Sequence, residues 1–230
     1  MRPRPLLTVA ALTVAGLALR LAVAGQGLFA DELSTYWIVT GGGLGHVIST
    51  VHTDAEITPP LFFALSWLFA QLGHAPELIR APSLIAGTAT IPLTYAVGRR
   101  TIGTPAALVA AGLVTVSPFL VYYSAEARGY AVMVALVLAS TLALLLAAER
   151  GGIGWWALYA ACACGAVYSH YTSVFAPTAA SRAGPRARRR SCSGSRPLRR
   201  RTPRRAPTSR SRRARRRAAA RASKRARARP

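Results

Sequence analysis

The feature that most constrains this chain is a series of long stretches without a charged side chain: residues 5–19, 57–73, 81–98, 101–125, 129–148 and 151–181. Crossing a bilayer as a helix takes about 20 mostly apolar residues, within a range of roughly 17–25. No water in the hydrocarbon can satisfy backbone N–H and C=O groups, so each crossing segment is expected to be helical. Gly and Pro inside these stretches are compatible with that, since membrane helices tolerate both. The expected fold class is all-α: a polytopic membrane protein with about five transmembrane helices, near 5–24, 82–98, 105–122, 129–148 and 155–175.

The run 61–70, LFFALSWLFA, stands apart. It follows Pro59-Pro60 and precedes Gln71 and Gly73. An apolar run of about 10–14 residues suits an interfacial or re-entrant helix better than a span, so 59–73 is expected to lie on the outer face. A second interfacial helix is expected near 31–40, where Leu33, Tyr36 and Trp37 recur at helical spacing behind the acidic pair Asp31-Glu32. With this assignment Arg2, Arg4, Arg99, Arg100 and Arg150 fall on the cytoplasmic side and Arg80 and Arg128 outside, five against two, as the positive-inside rule requires. A spanning 59–73 would give four against three and separate SAEAR (124–128) from Asp31-Glu32. Residues 1–24 carry the Arg2, Arg4, apolar core and AVAG of a signal peptide. Arg20 inside that core favours an uncleaved first span instead, with the Arg20 side chain snorkelling to the outer interface.

Charge divides the chain in two. Residues 1–176 hold eight Arg against all seven acidic residues, a net charge of about +1; residues 177–230 hold the other 22 basic residues and no acid. The formal net charge of +23 is thus a property of the tail, which is built of Arg, Ala, Pro, Ser, Gly and Thr with a single Leu and no aromatic. It has nothing with which to build a core and is expected to be disordered. The assigned topology would release it on the outer side, against the positive-inside rule. It reads as a basic arm, as a sign of the alternative topology, or as GC-rich DNA read out of frame; the break after Phe175, in mid-span, favours the last. Cys162 and Cys164 are two apart and point to different faces of a helix, neither a CxxC pair nor a zinc pattern.

Charges beside a membrane are costly and invite functional hypotheses. On the expected outer face these are Asp31, Glu32, Asp54, Glu56, Glu77, Arg80, Glu126 and Arg128. A carboxylate pair at the water–lipid boundary can serve as general base or as ligand to a divalent metal. VYYSAEARGYAV (121–132) sets Glu126 and Arg128 among Tyr122, Tyr123 and Tyr130 at a helix mouth, and Arg suits a phosphate. YSHYTS (168–173) puts His170 near the outer end of the last span.

Taken in order, FADELSTYW, HTDAEITPPLFFALSWLF, LIRAPSLIAGTATIPLTYAVGRR, SPFLVYYSAEARGYAV and YSHYTS resemble the N-terminal half of the bacterial GT-C superfamily glycosyltransferases of the family 39, protein-mannosyltransferase-like type. The resemblance covers nearly all of 5–176. It departs at the proline pair, which follows Thr58 where the family often has His. It implies a multi-pass enzyme of the cell (plasma) membrane, working on the extracytoplasmic face, that transfers a sugar from a polyprenyl-phosphate donor to the hydroxyl of an acceptor whose identity is not readable. Asp31 would be the base toward that hydroxyl, supported by Glu32. Arg80, Glu126 and Arg128 would face the donor, Asp54 would shape the acceptor side, and His170 is a weaker carry-over. The shared module has at least seven spans, so 1–176 corresponds to its N-terminal part. Two other classes remain: a transporter- or channel-like subunit, which would place charges within the spans, and a membrane-tethered basic arm binding anionic lipid or nucleic acid. The tail has no aromatic for base stacking, so specific nucleic-acid recognition is not expected.

Overall fold

Nine α-helices and one 3-10 turn make up the regular structure of the computed structural model, which describes residues 3–29, 31–53 and 58–174; no strand occurs among these residues. The all-α expectation therefore holds. Asp54, Glu56 and the tail 177–230 lie outside the described residues.

Among the described residues the first helix, α1 (Pro3–Ala24), and α8 (Tyr130–Arg150) are the two that are long and apolar enough to cross a membrane. At 1.5 Å rise per residue they reach roughly 33 and 31 Å. Between them, α5 (Pro76–Thr101) is the axis of the bundle and packs against α1, α6, α7 and α8. It is the longest helix, with Pro82 and Pro92 inside it and Arg80, Ser83 and Thr90 buried. Its polar groups face neighbouring helices, which is where a membrane helix is expected to put them.

The single span expected at 105–122 is broken. It forms α6 (Thr104–Val116) and α7 (Pro118–Ser124), bent by 58°. Pro118 has no N–H to continue the α6 ladder and disfavours helical ψ at the residue before it. Ser117 accordingly adopts φ −61°, ψ 116°, and its hydroxyl accepts a long hydrogen bond from the Leu120 N–H at 3.5 Å, an N-cap for the new helix. Counting the bent pair as one crossing gives three candidate spans among the described residues. The last helix, α9 (Ile153–Ser169), is shorter than the 155–175 expected, because His170 turns to extended backbone (φ −163°, ψ 129°) before a 3-10 turn over Tyr171–Val174. Apolar side chains point outward on α1 (Leu7, Val14, Leu21), α6 (Val109, Leu113) and α9 (Trp156, Leu158), as lipid-facing helices require.

Three short helices gather at one end: α2 (Asp31–Thr40), α3 (Leu44–His52) and α4 (Leu61–Ala70). Of these α3 has no counterpart in the sequence reading. At ten residues α4 is about 15 Å long, too short to cross. Its Phe62 and Phe63 are fully buried with Ile38, Val39, Val47, Val51 and Ile79. Each such side chain contributes about 1.5–3 kcal/mol on burial. On α2 the buried face is Glu32, Thr35, Ile38 and Val39, while Leu33 and Trp37 are exposed as the sequence suggested.

Arg20 departs from expectation. Its side chain does not snorkel: it is 0% exposed, with Nη1 donating to the Gly16 carbonyl at 2.9 Å. One turn of helix above it, the α1–α5 and α7 packing at Ala24, Leu84 and Ala125 closes the way to the helix end.

Candidate functional site

At the end of the bundle where α1 finishes and α2 begins, the chain brings together charges from three separate segments. Asp31 and Glu32 open α2. Arg80 stands in the second turn of α5. Glu126 and Arg128 lie in the loop between α7 and α8.

Neighbouring acids meet opposite environments because successive helical residues point about 100° apart. Glu32 turns inward. Its carboxylate receives Arg80 Nε at 2.8 Å and Nη2 at 2.6 Å, the Ala127 N–H at 2.7 Å, and the Phe29 N–H at 3.3 Å. The last contact, reaching back three residues, is half of a capping box. Burial alone raises the Glu32 carboxyl; the Arg80 hydrogen bonds and charge, with the two backbone N–H groups, outweigh it and hold the group below the usual carboxylate range. Asp31 turns outward. Its side chain is 71% exposed, and Oδ2 is 3.8 Å from Arg128 Nη2.

Arg80 is saturated. Besides its two bonds to Glu32, Nη1 donates to the carbonyls of Ala24 (2.6 Å) and Gln26 (2.5 Å), and Nη2 to that of Gly27 (3.1 Å). All five guanidinium N–H groups are therefore engaged, and the residue is 2% exposed. Arg80, expected to face the donor, is thus committed to Glu32 and to the carbonyls at the end of α1, and Glu32, expected to support Asp31, is committed to Arg80 and the α7–α8 loop. In this arrangement the pair ties the end of α1 and the start of α2 to α5, and the carbonyls that terminate α1 receive the donors they lack within the helix.

The α7–α8 loop is gripped from two sides. Glu32 takes the Ala127 N–H, and one turn later Thr35 Oγ1 donates to the Ala127 carbonyl at 3.0 Å. Ser83 Oγ, one turn beyond Arg80, donates to the Arg128 carbonyl at 2.9 Å. Gly129 packs against the end of α9: a Cβ there would meet the Ser169 carbonyl oxygen at 2.7 Å and Phe62 Cβ at 3.4 Å. The loop that carries Glu126 and Arg128 is therefore fixed by α2, α5 and α9 together. Thr35 and Ser83 were not singled out from the sequence. Their signal was there: each is a polar residue one turn after a charged one, on the buried face of its helix.

Glu126 has one buried oxygen, Oε2, without a hydrogen-bond partner. Burial first, then the negative charges of Glu32 and Asp31, push its carboxyl above the usual range; Arg128 and Arg80 oppose this in part. His170 closes the far side. Its ring stacks at 5.0 Å on Tyr130, which meets Tyr123 at 4.8 Å. Nδ1 accepts from the Thr172 N–H at 3.3 Å, which puts the ring proton on Nε2 in the neutral form. Burial, then the Arg128 charge, lowers its pKa, which favours the neutral ring. Of the sequence-derived residues, Asp31, Glu32, Arg80, Glu126 and Arg128 share one cluster, His170 borders it, and Asp54 lies outside the described residues. Among the described residues no three His, Cys, Asp or Glu side chains are placed to hold a metal ion together.

An all-helical membrane chain with a charged site at one end of its bundle, carboxylates beside arginines, fits the class of membrane glycosyltransferases. Comparison with known families makes it specific: the dolichyl-phosphate-mannose-protein mannosyltransferase family matches residues 58–181, more than half of the chain, and the chain belongs to that family. Arg80, Glu126, Arg128 and His170 lie within the matched segment, while Asp31 and Glu32 precede it. No curated protein and no solved structure matches the chain.

Proposed function

We propose that the chain transfers a sugar from a polyprenyl-phosphate donor to an acceptor hydroxyl at the extracytoplasmic surface of the cell membrane, with Asp31 as the base. The observation that carries this is the division between the two acids. Glu32 is committed to Arg80 and the loop, whereas Asp31 is exposed beside Arg128 on the same rigid frame. Transfer from a lipid phosphate requires a carboxylate to take the proton of the attacking hydroxyl and a cation close to the departing phosphate. Asp31 and Arg128 supply these two groups side by side. Glu126, whose carboxyl is raised by burial and by the charges of Glu32 and Asp31, has one buried oxygen without a partner beside this pair. The Tyr123–Tyr130–His170 row, edge-to-face between the tyrosines and tilted at His170, offers aromatic surface for a pyranose ring. The basic tail has no part in the reading.

The test is Asp31→Asn in the membrane-inserted protein, supplied with a polyprenyl-phosphate-linked hexose and scored for sugar release. Loss of transfer with insertion unchanged is expected. Transfer at the wild-type rate by this variant would remove Asp31 from the chemistry.

A further inference from the structure

Arg20 has no place in the site just described, and its surroundings do not account for its charge. The side chain is 0% exposed, yet of its five N–H groups those on Nε and Nη2 have no hydrogen-bond partner; only Nη1 is engaged, by Gly16. Nε and Nη2 lie along one edge of the guanidinium plane. Together they form the side-on fork that receives two oxygens of a carboxylate or phosphate. A guanidinium inside a membrane helix is costly unless it meets such a partner.

Among the described residues no carboxylate is hydrogen-bonded to Arg20 Nε or Nη2. Glu32 is held by Arg80, Asp31 lies by Arg128, and Glu149 lies by Arg100. The charges that act on Glu126 are those of Glu32, Arg128, Asp31 and Arg80. The tail contains no acidic residue at all. A second orphan lies at the same level. Gly16 of α1 abuts Ile91 of α5, and Ala24 clusters with Leu84, so the antiparallel register sets Arg20 opposite Gly87 and Thr88. Thr88 Oγ1 is also buried without a partner. A buried fork and a buried hydroxyl at one depth, roughly one helical turn or 6 Å below the end of α1, match a tetrahedral oxyanion better than a planar one.

We propose that Arg20 is a seat for a lipid-borne phosphate, with the Thr88 hydroxyl as its second contact. This seat is apart from the departing phosphate assigned to Arg128: its phosphate comes from a polyprenyl carrier that is not reacting, in which case the inference rests on the functional reading above, or from a phospholipid headgroup. Entry is from the α6–α7 elbow. Thr115 sits with Arg20 Nη1 beside Gly16, two residues before the break at Ser117-Pro118. The seven-residue α7 beyond that break packs on α1, so a change in the bend would uncover the fork.

The test uses the 230-residue chain in micelles of a phosphate-free maltoside detergent, alone, with added polyprenyl monophosphate, or with added phosphatidylglycerol, and counts phosphate lipids retained by native mass spectrometry. Wild type is expected to retain one in at least one of the two supplemented arms, and the arm identifies the source. Arg20→Gln is expected to weaken retention by about tenfold or more, equivalent to about 1.4 kcal/mol. Arg20→Lys keeps the charge but lacks the fork; it is expected to weaken retention too, and it decides the matter if Arg20→Gln does not insert. Asp31→Asn, inactive on the functional reading, is expected to retain lipid as wild type does, which separates failure of this inference from failure of that one. Retention in neither supplemented arm, or equal retention by wild type and Arg20→Lys, overturns the proposal.

Discussion

Glu32 and Arg80 form a buried, two-bonded ion pair, 2.6 Å at its shorter contact, between helices whose first residues are 45 positions apart in sequence. Removing one partner of a buried pair leaves the other charge unsatisfied, at about 3–5 kcal/mol. Glu32→Ala is therefore expected to destabilise the fold by that amount. Asp31→Ala, at a side chain 71% exposed, should stay within about 0.5 kcal/mol of wild type. Thermal unfolding in detergent, followed by circular dichroism, checks the contrast. Two adjacent acids with equal effects on stability would contradict it.

The same pair sets an acid limit. The Glu32 carboxyl is depressed in the folded state, so the unfolded state binds its proton at higher pH. The stabilisation is complete above the ordinary glutamate range and is lost as pH falls through that range toward the lower folded value. Glu126 has the opposite sign: with a raised folded pKa, it weighs against the fold as pH rises from the ordinary glutamate range to and beyond its own higher value. Between pH 3 and 5 (about the unperturbed carboxylate range) the melting temperature of wild type is expected to fall more steeply than that of Glu32→Gln. Glu126→Gln should melt higher than wild type near pH 7. Parallel melting curves for wild type and Glu32→Gln would refute the assignment.

Why the sequence revealed the helices and their common end, but not the roles within that end, is clear from particular residues. The uncharged stretches made α1 and α8 legible, because length and apolarity alone decide them. FADELSTYW and SAEAR could be placed together because their order and the charge bias fixed a shared face. The split between Asp31 and Glu32 was not legible. It depends on which side of α2 meets α5, a tertiary fact that the neighbouring letters D and E do not encode. The contacts of Arg80 were not legible for a related reason. An Arg beside a membrane suits a phosphate, but the carbonyls of Ala24, Gln26 and Gly27 consume its donors. Arg20 was read as a snorkelling side chain because its position near a helix end was visible and the packing above it was not.

Gly129 holds the loop by close approach rather than by backbone conformation, since its φ is −68°. A methyl group there meets backbone, the Ser169 carbonyl oxygen at 2.7 Å, which cannot rotate away. Gly129→Ala is expected to cost about 1–3 kcal/mol, as overpacking does, and to slow sugar transfer by displacing Arg128. The control is Gly112→Ala, where a Cβ meets nothing within 4 Å and a helix interior gains about 1 kcal/mol from the change. Unfolding midpoints of the two variants should move in opposite directions.

The bend between α6 and α7 rests on one residue. Pro118 lacks the N–H that would continue the ladder, and it holds Ser117 at ψ 116°. Pro118→Ala supplies the donor and relieves Ser117. The segment 104–124 is then free to run as one helix, and its angle should fall well below the 58° now present. Spin labels at Val109 and Tyr122, both exposed, report this as a lengthened distance by electron double resonance. A straightened α7 would also withdraw Ser124 from Gly87, where the two now pack without room for a Cβ, and carry Glu126 away from Glu32. Loss of transfer in Pro118→Ala, with the lengthened distance, would tie the bend to the site. An unchanged distance would show that packing against α1 and α5, rather than the proline, sets the angle.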